Sequence, residues 1–178
     1  MPSYAALLRG VNVGKAKRIA MADLRRLVEE LGYGRVRTLL NSGNVVLDAD
    51  GEEPARIAAR IEAALAAAAG IKARVFVFPA DELAAAIAQN PFADIDVDPA
   101  RLLIAFVGDA GGLERLRVLE ATDWTPERIA VTGQAAYLLC PDGISAGRLA
   151  EVAFKALGDA GTTRNLATAM KLLDLAGR

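Results

Sequence analysis

Leu102-Leu103-Ile104-Ala105-Phe106-Val107-Gly108 is an unbroken apolar run stopped by glycine, and Tyr4-Ala5-Ala6-Leu7-Leu8-Arg9-Gly10 has the same shape near the start of the chain. A short run with no polar alternation fits a strand buried on both faces. The segments after the two runs correspond as well. Residues 21–31 place Leu24, Leu27, Val28 and Leu31 at i, i+3, i+4 and i+7, which predicts an amphipathic helix closed by Gly32. Leu113-Glu114-Arg115-Leu116-Arg117-Val118-Leu119 answers it in the second half.

Residues 36–40, the turn Asn41-Ser42-Gly43-Asn44 and Val45-Val46-Leu47 read as a hairpin. Its counterpart is residues 128–134 with Tyr137-Leu138-Leu139 after them, Thr132-Gly133-Gln134 standing in the place of Ser42-Gly43-Asn44. Asp50-Gly51 and Asp142-Gly143 each precede a second helix, over 54–69 and 146–157, ended by Gly70 and near Gly158. A strand over 74–78 and a helix through Ala88, which Asp81 can cap, complete the first half. In the second half Thr162-Thr163-Arg164 only hints at a strand, before a helix over 166–175.

Each half thus reads β-α-β-β-α-β plus a trailing helix. The expected fold is α+β, two tandem ferredoxin-like halves, each an antiparallel sheet with helices packed on one face. The expected subdomains are 1–92 and 102–178. The connector is 93–101; over 91–101 two prolines, Pro91 and Pro99, with Asp94, Asp96 and Asp98 break any periodicity. A solvated linker explains those aspartates better than a calcium loop, since no glycine turn or later glutamate completes one.

The chain has 178 residues, 53% hydrophobic and 24% charged, with a net charge of −1. It can bury a sizeable core as an ordinary globule. It contains no histidine, which excludes histidine acid–base catalysis, the triads that depend on it and most zinc chemistry. The single cysteine, Cys140, excludes an internal disulfide and reads as a buried strand thiol. Trp124 reads as a plug between elements. No long non-alanine apolar run suggests a membrane span, and Met1-Pro2-Ser3-Tyr4 does not read as a signal peptide, so a cytoplasmic location is expected.

Charge is unevenly spread. Residues 1–40 carry eight cations against three anions. The densest cluster of donors is Arg9-Gly10-Val11-Asn12-Val13-Gly14-Lys15-Ala16-Lys17-Arg18, between the first strand and the first helix. Gly10 and Gly108 lie 98 positions apart but Gly43 and Gly133 only 90, so this first connection or the helix after it is longer than its counterpart. Packing does not require the extra length, which points to function. A nucleotide-hydrolysing phosphate loop is excluded: three residues separate Gly10 from Gly14-Lys15 where that motif has four, and Ala16 lacks the hydroxyl that holds magnesium.

A looser anion site remains, with Arg9, Asn12, Lys15 and Lys17 as donors and Ser42 and Asn44 orienting the ligand from the neighbouring turn. Turn chemistry alone also accounts for Ser42 and Asn44. Thr162-Thr163-Arg164-Asn165 precedes the last helix and reads either as a cap or as a second anion contact through Arg164 and Asn165. The expected partner is a small anionic ligand, phosphate-bearing or nucleotide-like; a nucleic-acid strand ranks below it, because Phe76 and Phe78 read as core. No cofactor and no metal site are implied. The alternatives are a histidine-independent enzyme using Asp23 or Asp48 as base, and a structural or protein-interaction module.

Leu7-Leu8-Arg9-Gly10-Val11-Asn12-Val13-Gly14, Met21-Ala22-Asp23-Leu24, Val36-Arg37-Thr38 with Ser42-Gly43-Asn44-Val45, Asn90-Pro91-Phe92, Thr163-Arg164-Asn165 and Lys171-Leu172 together resemble the bacterial family designated domain of unknown function 1697. The resemblance spans nearly the whole chain and implies a tandem α+β fold of two related halves, with no particular activity. The chain departs from the family pattern at Lys15, where a second glycine is usual, and at Leu166 and Ala167, where Trp and Asn usually follow Arg-Asn.

Overall fold

The first apolar run becomes β1 (Ser3–Leu8), followed by α1 (Met21–Glu30), β2 (Gly34–Leu39), β3 (Asn44–Asp48), α2 (Pro54–Ala69), β4 (Val75–Pro79) and α3 (Ala80–Ala88). The second run becomes β5 (Leu102–Val107), followed by α4 (Ala110–Arg117), β6 (Arg128–Val131), β7 (Ala136–Leu139), α5 (Leu149–Leu157), β8 (Gly161–Asn165) and α6 (Leu166–Ala176). These elements come from a computed structural model that describes residues 1–178. The chain is α+β, with two four-stranded antiparallel sheets and six helices.

Two compact units are present, one of Met1–Leu83 with Lys171–Arg178 and the other of Ala84–Met170. The chain passes between them inside α3 and α6, and the 93–101 segment lies within the second unit.

In the first unit the strands run in the order β2-β3-β1-β4, with Ala5 opposite Val46 on one side and Phe78 on the other. Alternate residues of the sheet, Tyr4, Ala6, Leu8, Val45, Leu47, Val75 and Val77, share one buried cluster with Leu24 and Val28 of α1 and Ile57, Ile61 and Leu65 of α2. The helix periodicity read from sequence is thus the periodicity of that packing. Ala5, Leu7, Val46 and Phe76, at the intervening positions, are buried as well, which is why these strands lack polar alternation. Gly70 ends α2 in the left-handed conformation, at φ 65°.

The second unit has the corresponding order, β6-β7-β5-β8. Its core joins Leu103 and Ala105 of β5 to Leu113 and Leu116 of α4 and to Leu149, Ala150 and Ala153 of α5. Helix starts differ from the sequence expectation at three places. Asp109 caps α4 by accepting from the Gly112 N–H, so that helix begins ahead of Leu113. α5 begins at Leu149 rather than Ala146, and Asp81 lies inside α3 rather than before it. No helix is long and apolar enough to cross a membrane.

Candidate functional site

Only Gly108 and Asp109 separate β5 from α4, whereas residues 9–20 separate β1 from α1. The longer connection is built around Asn12. Its amide nitrogen donates to the carbonyls of Ile19 (2.9 Å) and Asn41 (2.8 Å), and its side-chain oxygen accepts from the Ile19 N–H (2.9 Å). Its own backbone N–H donates to the Lys17 carbonyl at 2.9 Å. Asn12 takes a left-handed conformation (φ 55°), as do Gly10 (72°), Gly14 (64°) and Lys17 (51°). Asn and Gly tolerate this region cheaply, while Lys17 is held there at a cost of about 1–2 kcal/mol. Val11 and Ile19 anchor the two ends in the core. Arg18 folds back, donating through Nε (3.1 Å) and Nη2 (2.7 Å) to the Gly14 carbonyl. Lys15 and Lys17 are exposed, and neither they nor Arg18 pair with a carboxylate. Arg9 is half-buried at the root, its N–H donating to the Arg74 carbonyl at 2.9 Å.

The β2–β3 turn lies against this loop. Leu40 (φ 57°) and Gly43 (φ 81°) are both left-handed. A β-carbon at Gly43 would stand 2.5 Å from Val11 Cγ2 and 2.7 Å from Leu8 Cβ, so close approach as well as φ demands glycine there. Asn44 is fully buried, and its amide nitrogen donates to the Leu39 carbonyl (2.9 Å) and Ser42 Oγ (2.8 Å). The structure therefore brings Arg9, Asn12, Lys15, Lys17, Ser42 and Asn44 into one region. Within it, the amides of Asn12 and Asn44 bond to the protein's own backbone and turn, while the lysines face outward. An open cavity of about 310 Å³ beside the loop is lined by Arg18, Asp23, Arg26 and Glu30 among others, a balanced set of charges.

Arg164 and Asn165 belong to the second unit. Arg164, 8% exposed, donates through Nη1 to Thr162 Oγ1 (2.9 Å) and the Thr163 carbonyl (2.8 Å), and burial brings its pKa down to about 10. At neutral pH it stays cationic. Asn165 Oδ1 accepts from the Thr168 N–H at 2.8 Å and so caps α6.

Both carboxylates considered as bases are engaged. Asp48 accepts from Ser3 Oγ (2.6 Å) and from Nε and Nη2 of Arg35. Burial pushes its pKa up, but the hydrogen bonds from Arg35 and Ser3 and the Arg35 charge outweigh this and leave it below the usual value. Asp23 pairs with Arg26 on the exposed face of α1. Asp98 accepts from the Ala100 N–H, capping a short 3-10 turn, and no group of His, Cys, Asp or Glu is arranged to hold a metal ion.

One buried polar feature has no signature in the sequence. Glu127 Oε1 accepts from the N–H groups of Arg148 (3.0 Å) and Leu149 (3.2 Å), capping α5 from a distant segment. A β-carbon at Gly147 would lie 2.1 Å from that oxygen. Beside it, burial first and Glu127 second push the Cys140 thiol up to about 12. Trp124 donates from Nε1 to the Leu119 carbonyl (2.8 Å) and carries the Arg148 guanidinium 5.8 Å from its ring centre. A glutamate that caps a helix twenty-one residues away leaves no local spacing signal.

The conserved bacterial protein SP0830 from Streptococcus pneumoniae shares the fold, with a TM-score of 0.79 over 98% of each chain at 21% identity. Among curated proteins none matches significantly. Residues 1–137, which contain the whole basic loop, the hairpin turn and the first six strands, match the family described as "Protein of unknown function (DUF1697)", and the chain belongs to that family.

Proposed function

We propose that this protein binds a small anion, phosphate-bearing or nucleotide-like, through the cations of the loop over residues 9–18. The observation that carries this is the pair Lys15 and Lys17, exposed and without a carboxylate partner on a loop whose shape Asn12 sets. A fixed loop loses little conformational freedom on binding, and two uncompensated charges attract an anion from a distance. Arg9 and Arg18 add charge at its root and end. Asn12, Ser42 and Asn44 act by holding the loop and turn rather than by reaching the ligand. Arg164 and Asn165 serve the second unit, Asn165 as a helix cap. The halves are proposed as ferredoxin-like βαββαβ units; the shared strand orders β2-β3-β1-β4 and β6-β7-β5-β8 support this.

Thermal shift and calorimetric titration with inorganic phosphate and a set of nucleoside phosphates test the binding. At least one should stabilise the protein, with an affinity that weakens as salt rises. The double variant Lys15→Glu/Lys17→Glu should lose that stabilisation while melting at the same temperature without ligand. Wild-type protein that no phosphate compound stabilises, or a double variant that binds as well as wild type, sinks the proposal.

A further inference from the structure

Large exposed apolar side chains occur at Met1, Val13, Leu40, Val118, Phe154 and Met170. Val118 follows Arg117, which pairs with Glu114, and Phe154 lies beside the Glu151–Lys155 pair, so the charges around them are compensated. Val13 and Leu40 differ. Val13 is 69% exposed on the basic loop and Leu40 is 52% exposed on the adjoining turn. The bond from Asn12 to the Asn41 carbonyl ties their neighbours together, so the two tips form one surface.

The backbone presses the same point. Leu40 holds φ 57°, a conformation that costs a branched side chain energy and that glycine or asparagine would take freely. Leu40 lies outside the buried core cluster and is 52% exposed, so burial offsets little of that cost. Lys15, Lys17 and Arg18 follow Val13 on the loop with no carboxylate bound to any of them.

An apolar tip followed on the same loop by the exposed cations Lys15 and Lys17, neither paired with a carboxylate, is complementary to a surface that is negative outside and apolar within. We propose that the paired tips at 10–19 and 40–43 dock this protein on an anionic lipid surface, Val13 and Leu40 entering the headgroup boundary and Lys15, Lys17 and Arg18 meeting the headgroups. This rests on the same cationic loop being an anion-binding face, and it adds the apolar contact that a free phosphate does not use. It needs no membrane-spanning helix.

Sedimentation with vesicles of phosphatidylglycerol and phosphatidylcholine, against vesicles of phosphatidylcholine alone, tests it. Wild-type protein should pellet with the former and stay in solution with the latter. Lys15→Glu/Lys17→Glu should abolish pelleting, each charge near an anionic surface contributing on the order of fivefold in affinity. Val13→Ser/Leu40→Gly should weaken vesicle binding about tenfold and leave binding of inorganic phosphate unchanged. Leu40→Gly removes backbone strain, and Val13→Ser alone is an exposed change, so either single variant supplies a folded control. No pelleting by wild-type protein, or pelleting undiminished in Val13→Ser/Leu40→Gly, overturns the docking role. Phosphate binding without vesicle binding would leave the small-anion proposal standing and remove this one; vesicle binding without phosphate binding would do the reverse.

Discussion

The amide nitrogen of Asn12 lies 2.8 Å from the main-chain oxygen of Asn41, and through that bond the first connecting loop and the β2–β3 turn share one surface. The same amide group closes the loop on itself through Ile19. Asn12→Ala removes all three bonds and leaves the Ile19 N–H and C=O without these partners. A loss of about 1–3 kcal/mol in urea unfolding is expected, with faster amide exchange at Ile19. Asn12→Asp keeps the acceptor and should retain protection of the Ile19 N–H. Equal stability in Asn12→Ala and wild type would show that the clasp contributes nothing.

Gly43 and Gly10 separate two reasons for glycine. Both have positive φ, but a β-carbon meets Leu8 and Val11 at Gly43 and nothing within 4 Å at Gly10. Gly10→Ala should cost about 1–2 kcal/mol, the left-handed penalty alone. Gly43→Ala should cost about 2–4 kcal/mol, since overpacking adds to it. Denaturation midpoints that fall equally in the two variants would count against the close approach.

The Asp48 carboxyl titrates below its usual value of 3.8 in the folded protein, so the folded state binds its proton less readily than the unfolded chain. The resulting stability is present above pH 3.8 and is lost as pH falls through the lower folded value. Arg35→Met should therefore destabilise the protein at neutral pH and flatten the acid limb of its stability curve. An acid limb identical to wild type would place the proton uptake elsewhere.

Cys140 is fully buried and its thiol is pushed up to about 12 from 9.0. At pH 8 it should react with a thiol reagent at least about a hundredfold more slowly in the folded protein than in urea, because the thiolate is the nucleophile. Its contribution to stability is full below pH 9 and declines as pH rises toward 12. Labelling of the native protein at the unfolded rate would mean the strand end opens readily.

The order and kind of the elements are legible in the sequence because they arise from periodicity. Leu24, Leu27, Val28 and Leu31 announce a helix face whatever they pack against, and Gly70 marks an end through its own φ. β8 is faint because Gly161-Thr162-Thr163-Arg164-Asn165 is a polar strand that becomes one by pairing with β5, Ile104 opposite Arg164. The start of α5 is hidden for a related reason, since the carboxylate that caps it comes from Glu127.

In the candidate site, the position of the basic loop and its extra length can be read directly from residue types and spacing. The division of roles cannot. Nothing in the order of residues says that Asn12 turns inward to Ile19 and Asn41, that Asn44 is buried, or that Lys15 and Lys17 stand free. Local chemistry depends on neighbours along the chain and leaves its trace there. Which donors are consumed and which face solvent depends on groups brought together by folding, and the Asn12–Asn41 bond, across twenty-nine positions, exists only once the loop and the turn are side by side.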